Sequence, residues 1–220
     1  MEDSELKLIR VFKDRIRIFL ILFVFGEDYK NESEPHLRKV FKTEVRIQKI
    51  DFLLRNPDYL SYELMSLAKN RKIPKFEARA IIQRIFKNKE PMMKRMEMEK
   101  FFFGAYEDID DVISFLTSIN FIEFRSQRSS TLKKIDKIYF VTATAIEKID
   151  DKLLSLDSLD WYVKRCQLIK KYFGSLSGTQ LKANQYQIKE YKEALYGQYI
   201  EDIQPMVKAE FAEMFGVELP

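Results

Sequence analysis

Apolar residues recur along most of the chain at spacings that gather them on one side of a helix. The clearest case is Lys75–Lys87. Ala78, Ile81, Ile82 and Ile85 form one stripe there, and Arg79, Arg84 and Lys87 fall off it. The block Ile16–Phe25, broken only by Arg17, reads as a buried early helix. A strand is its alternative, because Ile, Phe and Val dominate. Around Val45–Leu54, apolar positions are interleaved with Arg46, Gln48, Lys49 and Asp51, and a helix is expected. Asn56 and Pro57 suit the cap and first turn of the next helix, which carries Leu60, Leu64, Met65, Leu67 and Ala68. A further helix is expected over about Pro91–Phe103, stopped by Gly104.

The pattern changes after Gly104. Val112, Ile113, Phe115, Leu116 and Ile119 predict a helix over Asp110–Ile119, and Asn120 can take a left-handed terminal conformation. Phe121–Phe124 reads as a strand, Ser126–Ser130 as a polar turn and Ile138–Val141 as a second strand. Thr142 or Thr144 then caps a helix running to about Leu154. Helix, strand, basic loop, strand and helix in this order look like the second half of a winged helix. The fragments "INFIEFRSQ" and "DKIYFVTATAIEKI" resemble the wing of bacterial winged-helix proteins. An ordinary hairpin in an α+β domain is the alternative. Trp161–Phe173 predicts another helix, ended by Gly174, and Met206–Phe215 a short one before Gly216. The expected class is mainly α (α+β): a winged-helix domain with a two-stranded wing, flanked by N- and C-terminal helices. Residues 1–104 would supply core helices. Residues 105–157 would hold the recognition helix, the wing and the next helix. Residues 158–220 would form a helical docking region.

Composition narrows the chemistry. The 220 residues include one Cys, Cys166, and one His, His36. A disulfide framework, a Cys-rich zinc site and any site needing two imidazoles are thereby excluded within the chain. Cys166 lies among apolar helix positions and reads as an inert buried thiol, and His36 as a solvated loop residue. Neither phosphate-cradling glycine motif is present. Pro57-Asp58 and Glu190-x-Lys192 echo a metal-nuclease pattern, but both lie in helical sequence rather than on converging strands. No cofactor, metal or small-molecule ligand is expected, and no enzyme activity. The Ile16–Phe25 block is too short to span a membrane and poor as a secretion signal, so a cytoplasmic location is expected.

Charge is uneven. The net charge is +4, but residues 1–103 hold 23 basic and 16 acidic side chains and are +7. The densest run is Lys69, Arg71, Lys72, Lys75, Arg79, Arg84, Lys87 and Lys89, with Glu77 the one acid among them. It reads either as a solvated helix face or as a surface for phosphates or an acidic partner. The wing is basic too, through Arg125, Arg128, Lys133, Lys134 and Lys137. The recognition-helix candidate Asp110–Ile119 holds Asp110 and Asp111 and no Lys or Arg. Non-specific backbone contact is therefore expected more than operator reading. The candidate nucleic-acid residues are Arg125, Arg128, Lys133, Lys134, Lys137, Lys72, Lys75 and Arg79. After Gly174, Tyr186, Tyr191, Tyr196 and Tyr199 stand among few aliphatic residues, which suits a protein interface. Packing of these rings back onto the domain is the alternative.

Three segments together carry a family resemblance: "RIQKIDFLLRNPDYLSYEL" (Arg46–Leu64), the wing, and "DWYVKRCQLIKKYFGSLSGTQLK" (Asp160–Lys182). They resemble winged-helix middle components of three-part bacterial conflict systems built around an SMC-like ABC ATPase. Lamassu-type phage defence is one such system. The resemblance implies a non-enzymatic accessory subunit whose partners are the ATPase, an effector protein and non-specific double-stranded DNA. Ser175–Pro220 would help dock the ATPase. The alternatives are a winged-helix transcriptional regulator and an enzyme of unrecognised type.

Overall fold

The computed structural model describes residues 2–102, 104–128, 135–149 and 157–220. Helix accounts for 59% of the chain, in eleven helices among the described residues, beside small antiparallel sheets. Contacts group the chain into two units: Met1–Asp51 with Asp108–Thr179, and Phe52–Glu107 with Gln180–Pro220. The grouping cuts across the boundaries expected at 104 and 157, because the chain enters the second unit twice.

In the first unit, α1 (Glu2–Phe25) buries Ile18, Phe19, Leu20, Ile21, Leu22 and Phe25. The apolar block is helical, as the first of its two readings had it. Its interrupting Arg17 is itself buried, paired with Asp51 and with Asp14 at 2.6 Å. Burial opposes that charge, but the two carboxylates outweigh it and hold the guanidinium pKa above its ordinary value. Asp51 lies on α2 (Glu44–Arg55), so the ion pair ties α2 to α1.

Four strands form an antiparallel sheet in the order β1 (Glu27–Asp28), β2 (Leu37–Lys42), β6 (Ile135–Thr142), β5 (Ile122–Arg128). Val40 stands opposite Phe140, and Ile122 opposite Val141. The pattern did not mark β2. Leu37 and Phe41 are its only buried residues, and a register shift between Leu37 and Lys39 breaks the alternation. The hairpin strands are longer than expected: Ser126, Gln127 and Arg128 pair with Lys137, Asp136 and Ile135 instead of turning.

Ahead of β5, α6 (Asp110–Ser118) buries Val112, Ile113 and Leu116, and Asn120 follows at φ 58°. Thr142 caps α7 (Ala143–Lys148): its Oγ1 accepts from the Ala145 N–H at 3.1 Å and donates to the Asn120 carbonyl at 2.7 Å. The helix expected to run to about Leu154 ends at Lys148, where Ile149 leaves helical geometry, and residues 150–154 lie outside the described residues. Next, α8 (Asp157–Phe173) buries Cys166, Ile169 and Phe173 and packs along α1. Desolvation pushes the Cys166 thiol up to about 12. At Gly174 a Cβ would sit 2.3 Å from the Lys170 carbonyl oxygen, so the chain can turn there only without a side chain.

The second unit is built on α3 (Pro57–Lys69), buried almost all round. Pro57 opens it as expected, but the Asn56 side chain donates back to the Phe52 carbonyl at 2.9 Å instead of capping. Beside it stands α4 (Lys75–Lys87), with the boundaries that the apolar stripe predicts. The helix expected over Pro91–Phe103 is not formed. A single turn, α5 (Glu90–Met93), gives way to a hairpin of β3 (Glu99–Phe101) and β4 (Gly104–Tyr106). Aromatic residues favour the pleated surface, and the Phe101 and Tyr106 rings meet at 5.5 Å. Gly104, expected as a helix stop, opens β4 at φ 94°, where glycine alone is unstrained.

Residues from Gln180 on complete this unit, with most of α9 (Gly178–Gln185), α10 (Lys189–Glu193) and α11 (Gln204–Phe215). The tail is less bare of core residues than it reads. Leu181, Ile188, Tyr191, Ile200, Ile203, Val207 and Phe211 are all buried. The Ile203 N–H donates to the Asp58 carboxylate at 2.8 Å, fixing the tail to the start of α3.

Candidate nucleic-acid interface

The α4 helix sorts its residues cleanly. Ala78, Ile82, Ile85 and Phe86 are buried, and the helix packs on α3. The opposite face is centred on Ala80 and carries Phe76, Arg84 and Lys87, all exposed, with Glu77, Arg79 and Gln83 half-buried at its flanks. The turn before it is short because Arg71 adopts φ 57°, and the Lys72 N–H closes onto the Leu67 carbonyl at 2.9 Å. Pro74 precedes the first turn with no side-chain cap. Lys72 and Lys75 thus stand at the positive end of the helix dipole.

Arg71, Lys72, Lys75, Arg79, Arg84, Lys87 and Lys89 are seven cations without an ion pair among the described residues. Lys69 differs. It is paired with Glu210 on α11, and the hydrogen bond to that carboxylate raises its pKa. Lys69, Arg71 and Lys75 border an open depression of about 460 Å³ with Glu210 and Glu213 on its other side. The acids therefore gather at the α3 end of the run, and Glu77 is the only acid on α4 itself.

The wing cations are placed differently. Arg125 is held between Glu34 and Glu123 and lies 4.6 Å from the centre of the Phe140 ring. Its hydrogen bond lowers the Glu34 pKa, and the two carboxylates raise that of Arg125. Lys137 is paired with Glu44 and lies 3.6 Å from Asp110. Arg128 belongs to β5, but its side chain lies outside the described residues, as do Lys133 and Lys134 entirely. The structure therefore brings Lys72, Lys75 and Arg79 together on one surface, and leaves Arg125 and Lys137 neutralised on another element. Phe76 and Gln83 were not singled out in the sequence. Their signal is angular: both lie opposite the apolar stripe of α4.

The four tyrosines separate. Tyr191 is a core residue and not a surface one: its ring meets Phe52 at 5.1 Å and Tyr186 at 5.2 Å, and its hydroxyl accepts the Ala105 N–H at 2.7 Å. Tyrosines read alike in sequence whether they anchor a core or face solvent. Tyr186 is half-buried. Tyr196 and Tyr199 are exposed, and the Tyr196 ring meets Phe101 edge-on at 5.2 Å and Phe102 at a tilt at 4.8 Å.

Among the described residues, no group of three or more His, Cys, Asp or Glu side chains could hold a metal ion. No helix among them is long and apolar enough to cross a membrane. Comparison with known protein families, with curated proteins and with solved structures finds no match for the chain.

Proposed function

We propose that the chain is a non-enzymatic accessory subunit that binds double-stranded nucleic acid through the outer face of α4. The observation that carries this reading is the set of seven cations on and beside that helix, with no ion pair among the described residues. Coulombic attraction to phosphate needs charges that are not already neutralised, and releasing condensed counterions then drives binding. Arg125 and Lys137 of the hairpin are the poorer candidates, since both are paired with carboxylates of their own unit.

The first unit supports a winged-helix assignment. Apart from the two-residue β1, helix, strand, helix, helix and hairpin follow one another as α1, β2, α2, α6 and β5–β6, and β2 pairs with β6. On this reading, residues 56–107 are inserted between the second and third helices. The partners, an SMC-like ABC ATPase and an effector in a cytoplasmic antiphage system, rest on the resemblance of Arg46–Leu64, the wing and Asp160–Lys182. A transcriptional regulator is the second reading, favoured by the same strand order. It is weakened by α6, which offers Asp110 and Asp111 and no cation to the major groove.

Fluorescence anisotropy with a labelled 30-base-pair duplex tests the binding, and co-purification with an ATPase encoded beside the chain tests the partnership. Duplex binding that weakens with salt and a stable ATPase complex are expected. No binding at low salt would overturn the first part, and no complex the second.

A further inference from the structure

We infer that α4 is a major-groove reading helix for B-form DNA, with Arg79 and Gln83 reaching base edges and the lysines at its two ends meeting phosphates. This rests on the proposed duplex binding and goes further, to the kind of duplex and the groove. The helix is a rod of 13 residues, about 20 Å long and roughly 10–12 Å across. The major groove of B-DNA is about 12 Å wide and admits such a rod, whereas the major groove of A-form RNA is too deep and narrow. On its inner side α4 packs against α3 and α5, while Phe76, Ala80, Arg84 and Lys87 stand exposed on the outer side.

That face has the chemistry a groove asks for. Ala80 stands near its centre and lets the backbone come close. Arg79 and Gln83 are one turn apart, on neighbouring lines of the helix. An arginine fork matches the O6 and N7 acceptors of guanine, and a glutamine amide matches N6 and N7 of adenine. Lys72 and Lys75 flank the N-terminal end, and Lys87 and Lys89 the C-terminal end, where the two groove walls would pass. Single-stranded nucleic acid fits less well, because it is held by several stacking rings along a groove. Phe76 is the only aromatic side chain on this outer face.

The test uses the full chain and modified nucleic acid, so the protein fold is not put at risk. Bound duplexes are selected from a random 20-base-pair pool. The recovered DNA is then compared with its 7-deazapurine form and with an RNA duplex of the same sequence. Expected are an enriched sequence, a loss of about fivefold or more on removing N7, and weaker binding to the RNA duplex. The Arg79→Ala, Gln83→Ala double variant, checked by circular dichroism, is expected to bind the natural and deaza DNA equally. Binding without enrichment, with equal affinity for the RNA duplex and no deaza effect, overturns the inference and leaves duplex binding standing. A deaza effect that survives in the double variant also overturns it, because another element would then read the bases. Failure to bind any duplex overturns both readings.

Discussion

Arg17 is the largest fully buried side chain among the described residues, and it is charged. A guanidinium in such a place is tolerated only while its carboxylates remain, because an unpaired buried charge is far more costly than the pair. Asp51→Ala is therefore expected to lower unfolding stability by about 3–5 kcal/mol, read from the urea midpoint. Replacing Arg17 and Asp51 together by Met and Leu should cost much less. Glu63 on α3 shows the opposite situation. Its carboxyl is buried, helped only by a hydrogen bond from Asn184, and desolvation pushes its pKa up to about 7. In the unfolded chain it titrates near the ordinary carboxylate value of about 4.3. The folded state thus holds a proton that the unfolded state has lost between these values. The contribution is full below the lower value and is lost as pH rises through about 7. Glu63→Gln is expected to stabilise the protein at pH 8 by on the order of 1–3 kcal/mol, and by much less at pH 5. Equal effects at both pH values would show that Glu63 ionises freely.

At the scale of elements, legibility followed how regular the burial is. Along α4, Ala78, Ile82 and Ile85 repeat at helical spacing against α3, so even its boundaries could be read. Thr142 and Asn120 were legible because capping and left-handed turns are local chemistry. The strand β2 was not, since only Leu37 and Phe41 are buried and a bulge disturbs the period. The segment Pro91–Phe103 misled because Met and Glu favour helix, while its extended part is also held from far along the chain: the Lys100 N–H donates to the Gln198 carbonyl at 2.9 Å and the Ile200 N–H to the Met98 carbonyl at 3.0 Å. The candidate site was half legible. A run of cations is visible in sequence, but whether each is already neutralised depends on residues far away. Glu34 lies 91 residues from Arg125 and Glu44 93 residues from Lys137.

For the whole molecule, the tail beyond Gly174 is the instructive part. Its spaced tyrosines suit a docking region, with packing back onto the domain as the alternative. Leu181, Ile188, Tyr191, Ile200, Ile203, Val207 and Phe211 fill the unit formed with residues 52–107. Burial of an apolar side chain contributes about 1.5–3 kcal/mol, so these residues together outweigh the roughly 5–15 kcal/mol stability of a typical domain. A chain ending at Gly174 is expected to lose protection of α3 and α4 in limited proteolysis. Intact protection of those helices would mean that the tail is an appendage after all.

The central claim is that the cations on and beside α4, which have no ion pair among the described residues, hold nucleic acid, and that the paired Arg125 and Lys137 of the wing do not. The most direct measurement is the slope of log affinity against log salt for a 30-base-pair duplex. It should be compared between the unaltered chain and two variants. Lys72→Ala, Lys75→Ala, Arg79→Ala, Lys87→Ala is expected to flatten the slope by about 0.9 for each phosphate contact removed. Arg125→Ala, Lys137→Ala is expected to leave it nearly unchanged. A slope flattened by the wing variant and kept by the α4 variant would contradict the account.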